Sequence, residues 1–276
     1  MSDPNLFRLR VVFCKQGRLA LLSHLEVTRA LERAVRRSGL PFAVSQGFSP
    51  HMRLAFGAAL PVGVGGTNEL FDLLLKTYVP PKEALAALQA ASVPDLMVKS
   101  CFYIDHQATA ASVAFPVSTY EGRLSFAPAV LPVPRQVHVV RKKGERTLEV
   151  EDFLAGGVKL SGERVEFTLE AKPTGSLRPD VFLRACCEAA NGGPQGALGC
   201  GSCEGAAEVV DAAEGEPAAG KEPFLMLVKN EKALEFPSGE GAGCARTGLS
   251  VLSLMRIAQR ESADEAAGAA VEEARA

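Results

Sequence analysis

Residues 23–60 read SHLEVTRALERAVRRSGLPFAVSQGFSPHMRLAFGAAL, and their reading decides the fold. Ser23 followed three residues later by Glu26 has the spacing of a capping box, in which hydroxyl and carboxylate satisfy free amides at a helix start. The helix starts at Ser23. It stops near Gly39, a residue suited to the left-handed conformation of a helix end, and Pro41 prevents continuation. At about 100° per residue, Val27, Ala30, Leu31, Ala34 and Val35 share one side and Arg29, Arg33, Arg36 and Arg37 the other. The same wheel turns His24 toward the apolar side, beside Leu31. Residues 45–53, SQGFSPHMR, carry the glycine and proline of a tight loop. Helix starts and glycine-bearing loops both collect free amides, which favour anions.

Working outward, residues 7–14 alternate apolar and polar side chains as a strand does, and 15–18 make a basic turn. Beyond the helix come a short strand at 42–44, extended chain at 53–60, a flexible turn at 61–66, a strand at 69–75, a helix at 82–91 and extended chain at 95–104. Strand, helix, strand, strand, helix, strand is the ferredoxin-like split βαβ order, an antiparallel sheet with both helices on one face. The expected class is α+β, with this lobe over residues 1–105. A second α+β lobe is expected over 106–190, with strands at 114–126, 147–154, 158–160 and 163–170 and a short basic helix or strand at 135–143. Pro128, Pro132 and Pro134 punctuate it, and Pro179 opens a helix running to about residue 190. The lobe is readable as a divergent copy of the first, although no repeat of sequence marks a duplication. Residues 191–222 turn to Gly, Ala and Glu, a composition that buries too little apolar surface to order itself. A last strand at 224–228 and an acidic tail make up 223–276.

With 276 residues, 47% of them hydrophobic, the chain can bury a core. Its net charge of −2 conceals a polarity: residues 1–60 hold nine Lys and Arg against three acids, whereas residues 201–276 hold fourteen acids against seven bases. The basic end coincides with the motif-bearing end, which favours an anionic partner. The lack of tryptophan and the presence of three tyrosines argue against an extensive base-stacking platform, leaving only phenylalanine to supply one. No basic-then-apolar leader and no membrane-length apolar run are seen, so a cytoplasmic protein without membrane contact is expected. Seven cysteines, an odd number, fit free thiols of a reducing compartment.

Residues 15–75, KQGRLALLSHLEVTRALERAVRRSGLPFAVSQGFSPHMRLAFGAALPVGVGGTNELFDLLL, resemble the opening of the radical-SAM-linked family of unknown function. That pattern runs SHLD, a basic helix ending RRAGLP, S-x-GF-x-P-x-P-K, P-x-GV and an E-x-x-D strand. Ser23, His24, Arg36, Arg37, Gly39, Leu40, Pro41, Ser45, Gly47, Phe48, Pro50, Pro61, Gly63, Val64, Glu69 and Asp72 fall on those places. Glu26 stands where aspartate is usual, and His51-Met52-Arg53 replaces a second proline and a lysine, moving the basic end onto Arg53. Arg178-Pro179-Asp180 and Arg246-Thr247 match later places more faintly. The resemblance implies a partner more than an activity: members are encoded beside, or fused to, cobalamin-binding radical SAM proteins, often near genes for an RNase E/G-type enzyme and ribosomal proteins. It implies no cofactor of the chain's own.

The radical SAM C-x-x-x-C-x-x-C triad is absent, so the chain is not expected to be the radical enzyme itself. Cys200-Gly201-Ser202-Cys203 is a C-x-x-C without two further ligands at metal-site spacing, which makes Cys200 and Cys203 weak candidates for a zinc or iron–sulfur site completed by two other residues. Cys186 and Cys187 diverge on a helix, and Cys244 is alone. Glu69 and Asp72, three apart on a strand, face opposite sides, and Asp72 is expected to pair with an arginine. The leading expectation is a non-catalytic accessory protein presenting an anionic substrate, RNA, through Lys15, Ser23, His24, Arg29, Arg33, Arg36, Arg37, Ser45, Gly47, Phe48, His51 and Arg53. One alternative is an endoribonuclease-like enzyme using His24 and His51 as acid and base, with Lys15 or Arg53 stabilising the intermediate. Another is a pure protein-interaction module.

Overall fold

β1 (Phe7–Lys15) passes through a 3-10 turn into α1 (His24–Arg37), followed by β2 (Leu54–Phe56), β3 (Val64–Leu75), α2 (Pro81–Ala91) and β4 (Val98–Ile104). The computed structural model describes residues 5–141, 144–192, 224–229 and 248–261. Cys200, Cys203, Cys244, the Arg246-Thr247 pair, most of the 191–222 segment and the acidic tail beyond Glu261 lie outside the described residues.

β4, β1, β3 and β2 lie side by side in that order, every neighbouring pair antiparallel, which is the split βαβ arrangement. Alternation along β1 turns Leu9, Val11 and Phe13 toward the helices, where Val27, Leu31 and Val35 of α1 and Ala84 and Leu88 of α2 cover them. Each large apolar side chain buried in this way contributes about 1.5–3 kcal/mol. Gly39 ends α1 with φ +71°, where a side chain would be strained. The opposite face of β1 carries Arg8 and Arg10.

The chain continues with a short helix α3 (Ala111–Ala114), then β5 (Val117–Leu124), β6 (Val130–Pro134), β7 (Gln136–Arg141), β8 (Gly144–Glu149), β9 (Lys159–Ser161), β10 (Arg164–Glu170), α4 (Pro179–Ala190), β11 (Phe224–Lys229) and β12 (Val251–Arg260). β12, β5, β10 and β9 are neighbours, again all antiparallel. Counted along the chain, that is fourth, first, third and second strand, the spatial order of the first half repeated. α4 takes the place of the second helix and buries Phe182, Leu183 and Cys186 against Tyr120, Phe167 and Leu254. Between the first and second strands, where the first half has α1, the chain makes β6, β7 and β8 instead.

The halves meet because β2 is short. It pairs with the later part of β3, Leu54 opposite Leu73 and Phe56 opposite Phe71. The earlier part, Val64, Gly65 and Gly66, pairs in parallel with Leu254, Met255 and Arg256 of β12. One eight-stranded sheet results. This corrects the reading of 61–66 as a flexible turn: Val64 to Gly66 are strand, because β12 supplies a partner that local sequence does not reveal. Residues 42–44 form isolated bridges, Phe42 with Leu75 and Val44 with Met52, in place of a strand. Pro132 and Pro134 lie within β6, which pairs with β11 in a two-stranded ribbon where proline interrupts no interior ladder. The basic segment at 136–141 is strand, paired with β8. Among the described residues no helix is long and apolar enough to cross a membrane.

Candidate nucleic-acid interface

The start of α1 is built as its spacing predicts. The Ser23 hydroxyl donates to Glu26 Oε2 at 2.7 Å and the Ser23 N–H donates to the same oxygen at 2.9 Å. These bonds, the hydroxyl's first, hold the Glu26 carboxyl below the usual carboxylate range. On the outer face Arg29, Arg33, Arg36 and Arg37 are all exposed. Arg37 donates to the carbonyl of Ala91 at 2.7 Å, tying the end of α1 to the end of α2. Arg36 meets Glu32 only at 3.9 Å. Arg29 and Arg33 form no hydrogen bond or ion pair among the described residues. His24 is not tucked beside Leu31: it is exposed, its ring edge-on to Phe56 at 5.4 Å between centroids.

The Ser45–Arg53 loop is a closed hairpin. Ser45 N–H donates to the His51 carbonyl at 2.7 Å, and His51 N–H donates to Ser45 Oγ at 3.0 Å. The segment between is exposed, with Gly47 at φ +136° and Phe48 wholly in solvent at the tip. Ser45 and Arg53 border a cleft of about 480 Å³ shared with Arg8, Asp72 and His106, on the sheet face away from α1. His51 lies within 3.4 Å of Ser49 Oγ. From it to Phe56, on which His24 rests, is a run of five residue steps of extended chain, about 16 Å at the rise of a strand. The structure thus places the candidate residues on the α1 outer face, at the α1 start and on the Ser45–Arg53 hairpin with its far-face cleft, with Lys15 apart from all of these, and does not bring the two histidines together.

Two buried ionic clusters lie under these surfaces. Asp72 accepts from Arg10 Nε at 2.8 Å and from Arg8 Nη2 at 2.6 Å, the arginine pairing expected for it. Arg8 also donates to the Ala108 carbonyl at 2.5 Å, pinning the 105–110 segment over the sheet. The second cluster was not legible. Arg256 of β12 donates through Nε to Glu69 Oε1 at 2.9 Å and through Nη2 to the other carboxylate oxygen and to the Ala58 carbonyl at 2.7 Å. Burial opposes the charge on Arg256, but Glu69 outweighs it and raises the pKa. Gly66 is required here, since a Cβ would collide with the Glu69 carboxylate.

Lys15 belongs to this cluster and not to the surface. Its side chain is buried, donating to the Val64 carbonyl at 3.3 Å. Burial pulls its pKa down, Arg256 adds to that, and Glu69 resists. A cavity of about 20 Å³ beside it, bounded by His24, Val27, Phe56 and Glu69, has room for about one water. Burial likewise keeps the Cys186 thiol protonated and pushes Cys187 up to about 11. Among the described residues no three His, Cys, Asp or Glu side chains converge as metal ligands do.

The span from β1 to the first residue of α4, which holds these features except Arg256 and the α4 cysteines, coincides with a known family: the bacterial family described as uncharacterized protein conserved in bacteria, DUF2344, matches residues 8–179. The chain belongs to this family. The DUF2344 match includes α1, the Ser45–Arg53 hairpin, Asp72 and Glu69, while β12, the partner of Glu69, lies beyond it. No curated protein matches the chain.

Proposed function

We propose that this protein is a non-catalytic accessory of a cobalamin-binding radical SAM protein and that it presents RNA to that partner. The observation that carries the RNA part is the exposed arginine row of α1, in which Arg29 and Arg33 form no hydrogen bond or ion pair among the described residues and Arg36 only a distant one. Guanidiniums three and four apart on a helix can meet successive phosphates. The partner is supported by the sequence resemblance over residues 15–75. The endoribonuclease alternative has less behind it, because His24 rests on Phe56 and His51 on Ser49.

Crosslinking of the protein to total cellular RNA tests the reading, with Arg29, Arg33, Arg36 and Arg37 changed together to glutamine as the control. Wild type is expected to recover one RNA class that the quadruple variant loses. Affinity for that RNA should fall by about 0.7 log units per log unit of salt for each single-strand phosphate contact. Recovery no better than background, or a flat salt profile, overturns the RNA part. Co-purification of the radical SAM protein tests the partner separately.

A further inference from the structure

The scarcity of tyrosine argues against an extensive base-stacking platform, yet two of the three tyrosines meet in space. Tyr78 and Tyr103 stack with ring centroids 5.0 Å apart and planes 28° from parallel. Phe7 stands edge-on to both, at 5.8 and 6.2 Å. Tyr103 is held in place through its hydroxyl, which donates to the Val79 carbonyl at 2.8 Å. Phe7 and Tyr78 remain 40% and 56% exposed and belong to neither core cluster, so the ring surface they offer is not needed to close the fold. A cleft of about 480 Å³ runs beside the rings toward Arg8 and His106. The one carboxylate on its rim, Asp105, is occupied by its own turn, accepting from Gln107 N–H at 2.7 Å.

This aromatic cluster lies at the basic end of α1. The Pro41 carbonyl, just beyond Arg36 and Arg37, accepts from Lys76 N–H at 2.8 Å, and Lys76, itself exposed, precedes Tyr78 by two residues. Exposed flat rings beside exposed cations is the arrangement that binds single-stranded nucleic acid, rings taking bases and cations taking phosphates. We propose that Phe7, Tyr78 and Tyr103 form a stacking platform for unpaired bases of an RNA strand whose phosphates lie along Arg36, Arg37 and Lys76. This rests on the RNA reading above and adds to it that the RNA is single-stranded where it is held.

Because the chain has no tryptophan, Tyr78→Trp introduces a lone reporter on the platform. A uridine dodecamer is expected to quench its fluorescence, and an abasic ribose-phosphate dodecamer is not. Tyr78→Ala, at an exposed ring, should bind the uridine oligomer about tenfold more weakly and the abasic oligomer unchanged. If the two oligomers bind wild type equally and Tyr78→Ala changes neither, while the quadruple arginine variant loses both, the platform is wrong and the arginine reading stands. If wild type binds neither oligomer, both are overturned.

Discussion

Lys15 brings a positive charge under α1, where Arg256 already holds the one carboxylate, Glu69, in a bidentate grip. Its folded pKa is below the ordinary 10.5, so the folded chain binds that proton less readily than the unfolded chain does. The penalty is therefore full well below the folded pKa and fades as pH rises toward 10.5. Lys15→Met should raise stability at neutral pH by about 1 kcal/mol or more, and the gain should shrink in alkaline urea titrations. A gain independent of pH would show that Lys15 is not titrating in this window. At this scale legibility followed alternation. Asp72 is set on the face opposite Glu69 because it lies an odd number of residues away, and its arginine pairing follows. Lys15 continues the inward row of Leu9, Val11 and Phe13, but its charge disguised the pattern. Glu69 and Arg256 are 187 residues apart, with nothing local to link them.

Helix ends were the most legible elements, because caps are chemistry between residues three or four apart. α1 begins on the Ser23–Glu26 pair and α4 on Pro179, as the sequence indicates. Ser23→Ala should destabilise the protein by about 1 kcal/mol at neutral pH. The depressed pKa of Glu26 means that its contribution is present above the ordinary 4.5 and is lost as pH falls through the folded value. The difference between wild type and Ser23→Ala, followed by thermal unfolding, should therefore narrow in acid; a constant difference would assign the effect to the serine alone. Glycine and proline misled where helices did not. Gly65 and Gly66 read as a turn but serve close approach, Gly65 to the Lys15 carbonyl and Gly66 to Glu69. The prolines of β6 read as breaks but sit in a two-stranded ribbon.

For the molecule as a whole, β12 is both the fourth strand of the second unit and the neighbour of β3 in the first. Local reading found the four-strand order of the first half from its periodicity and suggested a copy in the second. It stopped short of the single sheet, because β12 is irregular, with register shifts near Val251 and Arg256, and turns a buried arginine inward. With the halves hydrogen-bonded through β12, calorimetry should show one cooperative unfolding transition. Arg256→Ala, which leaves Glu69 buried without its partner, should cost about 3–5 kcal/mol; two separate transitions in wild type would mean that the seam is not cooperative. The seam also sets an order of events during synthesis. The strand at the middle of the sheet is the last of the described strands to be made, so β5 and the part of β3 that β2 leaves uncovered, Val64 to Gly66, leave the ribosome as bare edges. Until residues 251–260 emerge, each edge is a template for pairing with another chain. The protein is thus most exposed to aggregation before residues 251–260 emerge, and shielding of nascent chains at that stage would matter more to its yield than any change in its folded surface.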